Sequence, residues 1–108
     1  MNTKLGKITN VRFGSIPDYP FLFGIDFDFS LGDGSGISSG GKYTVNISKN
    51  CKWSSEERKE AIENSIDFIV KILEDAKVND VYDLKNKPVE VYIQDNTFVD
   101  FRILTEVL

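Results

Sequence analysis

Between Phe21 and Phe29 the chain alternates strictly. Phe21, Phe23, Ile25, Phe27 and Phe29 share one face, while Leu22, Gly24, Asp26 and Asp28 share the other. A period of two marks a strand covered on one side, and four aromatics on that side require a thick partner, most simply a helix across the sheet. Upstream, "KLGKITNVRF" (4–13) alternates from Lys7 onward and reads as a first strand, with Thr9, Val11 and Phe13 on one side. The stretch "GSIPDYP" (14–20) is punctuated by glycine, proline and aspartate and predicts the turn between the two.

Residues 30–41, "SLGDGSGISSGG", hold five of the eight glycines and read as a loop. "KYTVNIS" follows as a third strand, with Tyr43, Val45 and Ile47 on one face. The period then changes to that of a helix over "WSSEERKEAIENSIDFIVKILEDAKV". Ser54 is placed to cap it, and Glu57 three residues on completes a capping box. Ile62, Ile66, Ile69, Val70, Leu73 and Ala76 form one stripe. Ala61, Phe68 and Ile72 widen it beyond an ordinary core-facing arc. That width has two readings: a helix sunk deep into a concave sheet, or Phe68 and Ile72 meeting another subunit.

After "DLKNKP", Val89, Val91 and Ile93 alternate with Glu90, Tyr92 and Gln94. Asp95-Asn96 tolerates the positive φ of a two-residue hairpin, and "FVDFRILTEV" returns as a last strand with Val99, Phe101 and Ile103 on one face. The order βββ-α-ββ predicts a single α+β domain over residues 1–108. Its antiparallel sheet would have about five strands, with one long amphipathic helix packed on one face.

Composition narrows the chemistry. There is no histidine, so the usual neutral-pH base and the commonest transition-metal ligand are missing. One cysteine, Cys51, excludes an internal disulfide and a cysteine-cluster zinc site; beside Trp53 it reads as a small buried apolar residue. A net charge of −4 leaves little excess for a duplex-binding face. The N-terminal "MNTKLGKITN" lacks the apolar core of a signal peptide, and no apolar run reaches the roughly 18 residues of a membrane span. These features predict a soluble cytoplasmic protein without metal, cofactor or membrane partner, and a binding module rather than an enzyme.

The segment "DLKNKPVEVYIQDNTFVDFRILTEVL" (83–108) resembles the ending of a family of small accessory proteins of phages and prophages of low-GC bacteria. Members of that family typically end in "LKGKPVEV…GN…WRILTEV". Asn86 here replaces the glycine of "KGKP", Asp95 that of "GN", and Phe101 the tryptophan. "CKWSSEERKEAIENSIDFIVKILEDAKVNDV" (51–81) is similar to the family's "CKWT-E-R" helix entry and "LL-DAK" exit. The resemblance covers about half the chain. It implies a context, an accessory protein acting in the cytoplasm of an infected host cell, and no chemistry.

Gly36 to Lys42 matches the first seven positions of the phosphate-loop pattern G-x-x-x-x-G-K-[ST], and Tyr43 breaks the eighth. A phosphate loop feeds a helix whose N-terminus holds the anion. Here a strand follows, so a triphosphate-hydrolysing site is not expected. Two readings remain: a flexible glycine hairpin loop, or a loop whose amides and Lys42 close over an anion in another geometry. Asp26, Asp28 and Asp33 lack the order of a calcium loop and read as the solvated face of an aromatic strand. Arg12 and Arg102 on strands either pair with carboxylates such as Glu90 and Asp100 or offer bidentate anion contacts. Tyr19, Tyr92 and Trp53 offer stacking surfaces, with core roles as the plainer reading.

The candidate ligand set is therefore Gly40, Gly41, Lys42, Tyr43, Trp53, Arg12, Arg102 and Tyr19, with Phe68 and Ile72 at a homo-oligomer interface. The expected function is a non-enzymatic phage counter-defence protein that sequesters a small anionic host signal such as a cyclic nucleotide. Two alternatives stand beside it. One is an acidic nucleic-acid mimic that inhibits a CRISPR effector or host nuclease through Asp26, Asp28, Asp33, Glu56, Glu57 and Glu60; the other is a virion assembly or structural accessory protein.

Overall fold

The computed structural model describes residues 2–48 and 54–108. Among them are six strands, β1 (Asn2–Ile16), β2 (Tyr19–Leu31), β3 (Gly36–Ser38), β4 (Thr44–Asn46), β5 (Pro88–Gln94) and β6 (Thr97–Ile103), and the helix α1 (Ser55–Ala76). The sheet is antiparallel in the order β3-β2-β1-β5-β6, with β4 pairing β2 along the same edge as β3. This is an α+β fold, as the periodicities predict. The third strand of the sequence reading is β4. β3 is additional and lies inside the stretch read as loop, where Gly36–Ser38 pairs with Ser30–Asp28 of β2.

β1 is the hinge of the sheet. Its first residues pair with β5 and its remainder with β2. Gly6 belongs to both ladders, and a Cβ there would lie 2.2 Å from the Ser30 carbonyl oxygen, so only glycine allows the approach. Two residues on, the register with β2 slips between Ile8 and Asn10. Thr9 is the extra residue of this bulge, and its hydroxyl donates to the Asp28 carbonyl at 3.1 Å. The bulge bends the strand and resets its parity. Ile8 and Val11 therefore face the core, not the Thr9–Val11–Phe13 set that unbroken alternation predicts, and Phe13 stays 42% exposed.

The bend curls the sheet on itself. On a flat sheet β2 and β6 would stand about 14 Å apart, with β1 and β5 between. Instead the Phe27 and Phe101 ring centroids are 4.9 Å apart, and those of Phe29 and Phe98 are 5.5 Å apart. Ile25, Phe27, Phe29 and Leu31 of β2 pack inside this curl with Ile8, Val89, Val91 and Ile103. Phe21 and Phe23, at the hairpin end, fall beyond it and remain exposed.

The helix α1 covers the open side. Ser54 caps it, its side chain accepting from the Glu57 amide at 3.1 Å. The helix ends at Lys77 in the left-handed conformation, where the Val78 amide closes on the Leu73 carbonyl at 3.1 Å. Its buried residues are Ile69, Ile72 and Ala76, while Ile62, Ile66 and Val70 are 43%, 50% and 48% exposed. This corrects the interface expected at Ile72, which is 4% exposed inside the core. Phe68 is half-buried and stacks on Tyr43, with centroids 4.4 Å apart. The apolar arc is wide because one flank lies in the curl and the other at the surface; the exposed flank is the opposite one.

Asn86 (φ 71) and Asp95 (φ 52) both adopt positive φ, as does Asn96 (φ 61). Asparagine and aspartate tolerate that region as a local alternative to glycine. Leu84, in a 3-10 turn after α1, plugs the core with no exposed surface.

Candidate functional site

The segment from Ser39 to Thr44 joins β3 to β4 and is closed by its own hydrogen bonds. The Gly40 amide donates to Ser38 Oγ at 3.1 Å, the Lys42 amide to the Ser39 carbonyl at 3.2 Å and the Thr44 amide to the Gly41 carbonyl at 3.3 Å. Thr44 Oγ1 also donates to the Gly41 carbonyl at 2.7 Å. Gly40 takes φ 56, which favours glycine at this turn. The expected flexible hairpin loop is corrected in this respect. It is a short strand followed by a bonded turn, and three of its amides are committed inward rather than forming an open anion nest.

Ser39 anchors the turn to the sheet. It is 6% exposed, its amide donates to the Phe27 carbonyl at 2.9 Å, and its Oγ accepts from the Phe27 amide at 2.9 Å. The same hydroxyl donates to Asp26 Oδ1 at 3.1 Å, while Arg12 Nη2 reaches Asp26 Oδ2 at 2.6 Å from the neighbouring strand. Asp26 is 5% exposed, so it does not belong to the solvated face expected of it. The Asp26 hydrogen bond and charge push the Arg12 guanidinium further above its already high range. Asp33 is likewise engaged: it accepts from Lys4 Nζ at 2.6 Å and from the Ser35 amide at 3.0 Å, which hold its carboxyl well below the usual range. Neither aspartate adds free charge to an acidic mimic surface.

Tyr43 leaves the turn inward. Its ring lies among Phe27, Phe68, Phe98 and Phe101, and its hydroxyl donates to Asp100 Oδ1 on β6 at 2.6 Å. Burial and, after it, the Asp100 hydrogen bond push the phenol well above its ordinary value.

Lys42 turns outward beside this ring. A cleft of about 230 Å3 opens between the turn and α1, lined by Lys42, Tyr43, Thr44, Asn64, Ser65 and Phe68 among others. The side chains of Lys42, Asn64 and Ser65 have no hydrogen-bond partner among the described residues. An ammonium, an amide and a hydroxyl next to two stacked rings offer donors for an anion and an aromatic wall for a planar group. The sequence reading missed Asn64 and Ser65. Their signal was the polar interruption between Ala61 and Phe68 on one helical flank.

The other candidates do not converge there. Arg12 lines a separate cavity with Asp26, Ser15 and Tyr82. Arg102 is held by Glu106 through both Nη atoms at 3.0 Å and by Glu90 through Nε at 3.1 Å, the carboxylate pairing foreseen for a strand arginine. Those hydrogen bonds raise its pKa further, Glu106 contributing most. Tyr19 is 56% exposed at the hairpin end, edge-on to Phe21 at 6.1 Å. Trp53 and Cys51 lie outside the described residues.

Among the described residues, no three His, Cys, Asp or Glu side chains converge to hold a metal, and no helix is long and apolar enough to cross a membrane. Comparison of the chain with protein-family models, with curated proteins and with solved structures finds no match.

Proposed function

We propose that this protein is a non-enzymatic binding module that captures a small anionic ligand in the cleft between the Lys42 turn and α1. The observation that supports this reading is the set of unengaged donors, Lys42, Asn64 and Ser65, beside the stacked Tyr43 and Phe68 rings. Arg12 and Arg102 are satisfied by carboxylates and leave Lys42 as the cation of the cleft. At about 230 Å3 the cleft is smaller than the roughly 300 Å3 at which ligand pockets ordinarily begin. It suits one ring or one phosphate, with the rest of a larger ligand lying over exposed Gly40 and Gly41. The phage-accessory resemblance supports reading that ligand as a host immune signal such as a cyclic nucleotide, which the protein would sequester.

Melting curves against a panel of cyclic nucleotides test this directly. A ligand at about 100 times its dissociation constant adds about 2.7 kcal/mol, a rise of about 10 °C or more for a domain this size. Lys42→Ala should abolish the shift and leave the melting point of the free protein in place. A panel that moves nothing, or a shift that survives Lys42→Ala, overturns the reading.

A further inference from the structure

Ile62, Ile66 and Val70 stand four residues apart on α1 and form one ridge at the surface. Beside it runs a groove of about 230 Å3, walled on the sheet side by Phe13, Phe23 and Ile47, exposed by 42%, 38% and 38%. These six side chains present roughly 450 Å2 of apolar surface, taking about 150–250 Å2 per aromatic and somewhat less per aliphatic side chain. That is a little over half of the about 800 Å2 that a standard interface buries on each partner, and it falls within the roughly 300–600 Å2 of the largest patch on an ordinary monomer.

We propose that this ridge and groove form a two-fold interface between two copies of the chain, with the α1 helices antiparallel and crossing near Ile66. A two-fold axis through the ridge near Ile66 sets Ile62 of each copy toward Val70 of the partner subunit, with the groove walls flanking the contact, the self-complementarity that a symmetric dimer requires. The charges along the ridge select the same arrangement. The four charges toward its two ends are Glu56, Lys59, Glu74 and Lys77, with Glu63 between them opposite Val70 of the partner subunit. Glu56 and Lys77 are equally distant from the Ile66–Asp67 midpoint, and so are Lys59 and Glu74. An antiparallel pair therefore sets Lys59 toward Glu74 of the partner subunit and Glu56 toward Lys77 of the partner subunit, whereas a parallel pair sets like against like. None of these four side chains has a partner among the described residues. The ridge lies on the flank of α1 away from Lys42, while Val45 and Ser65 border both the groove and the Lys42 cleft; the interface does not rest on what that cleft binds.

Light scattering on size-fractionated protein across a concentration series tests the proposal. The full chain should run as a dimer at high concentration and dissociate on dilution. Ile66→Glu should give a monomer with an unchanged far-UV spectrum, because Ile66 is half-exposed and outside the core. Lys59→Glu should weaken the dimer about tenfold, through two symmetry-related contacts, and Lys59→Glu with Glu74→Lys should restore it. A chain that is monomeric throughout overturns the proposal and gives the face to a different protein partner. So does a dimer that both Ile66→Glu and Lys59→Glu leave intact.

Discussion

The hydroxyl of Tyr43 donates to Asp100 at 2.6 Å and ties the turn before β4 to β6, strands on opposite edges of the sheet. The contact exists because the curl brings those edges together, and it places the wall of the Lys42 cleft on a fixed ring.

Tyr43→Phe should therefore cost about 1.5–3 kcal/mol, the range for a hydrogen bond to a charged group, nearer the lower end because Asp100 keeps the Phe101 amide as a donor. The pH dependence has a definite sign. The phenol is held protonated above its unfolded value of about 10, so its contribution is complete below that pH and is lost as pH rises beyond it, when the unfolded chain ionises first. Chemical denaturation at pH 8 to 11 should show wild type losing stability near the top of that range more steeply than Tyr43→Phe. Parallel slopes would remove the role assigned to this phenol.

Ser39→Ala strips the Phe27 amide of its acceptor and Asp26 of a donor, both buried. A loss of about 1–3 kcal/mol is expected, against little change for exposed Ser38→Ala. Deleting 34–41 removes β3 and Ser39 together and should unfold or severely destabilise the protein, although the sequence alone suggests a dispensable loop. Urea melts of the three variants check the order.

Gly6→Ala places a methyl against the Ser30 backbone and should destabilise by at least the ~1–3 kcal/mol typical of overpacking, since neither strand can yield alone. Gly14→Ala, whose added Cβ meets nothing within 4 Å, should be neutral or slightly stabilising. Equal effects would contradict the hinge assigned to β1.

What was legible in the sequence was whatever a single segment determines. Ser54 and Glu57 mark the helix start, the Asp95-Asn96 pair marks its hairpin, and the Phe27 and Phe29 alternation marks the buried face of β2. What was hidden depends on partners distant in the chain. Asp26 looks solvated until Ser39 and Arg12 close on it from either side. Thr9 shifts the parity of β1 through a bond to the Asp28 carbonyl, which no local pattern announces. Gly36–Ser38 is too short and too glycine-rich to read as a strand, yet β2 supplies its ladder. The apolar arc of α1 gave no sign of which flank the curl would take, so Ile72 was assigned to the surface and Ile66 to the core. The candidate site was half visible: Lys42 and Tyr43 were found, while Asn64 and Ser65 join them only once α1 lies across the turn.

The most direct measurement of the central claim is a map of backbone amide shifts as a cyclic nucleotide is titrated into the 108-residue chain. Perturbations concentrated at Gly40–Tyr43, Asn64 and Ser65, and lost in Lys42→Ala, are the predicted result. Perturbations centred on Arg12 or Arg102, or none across the panel, would contradict it.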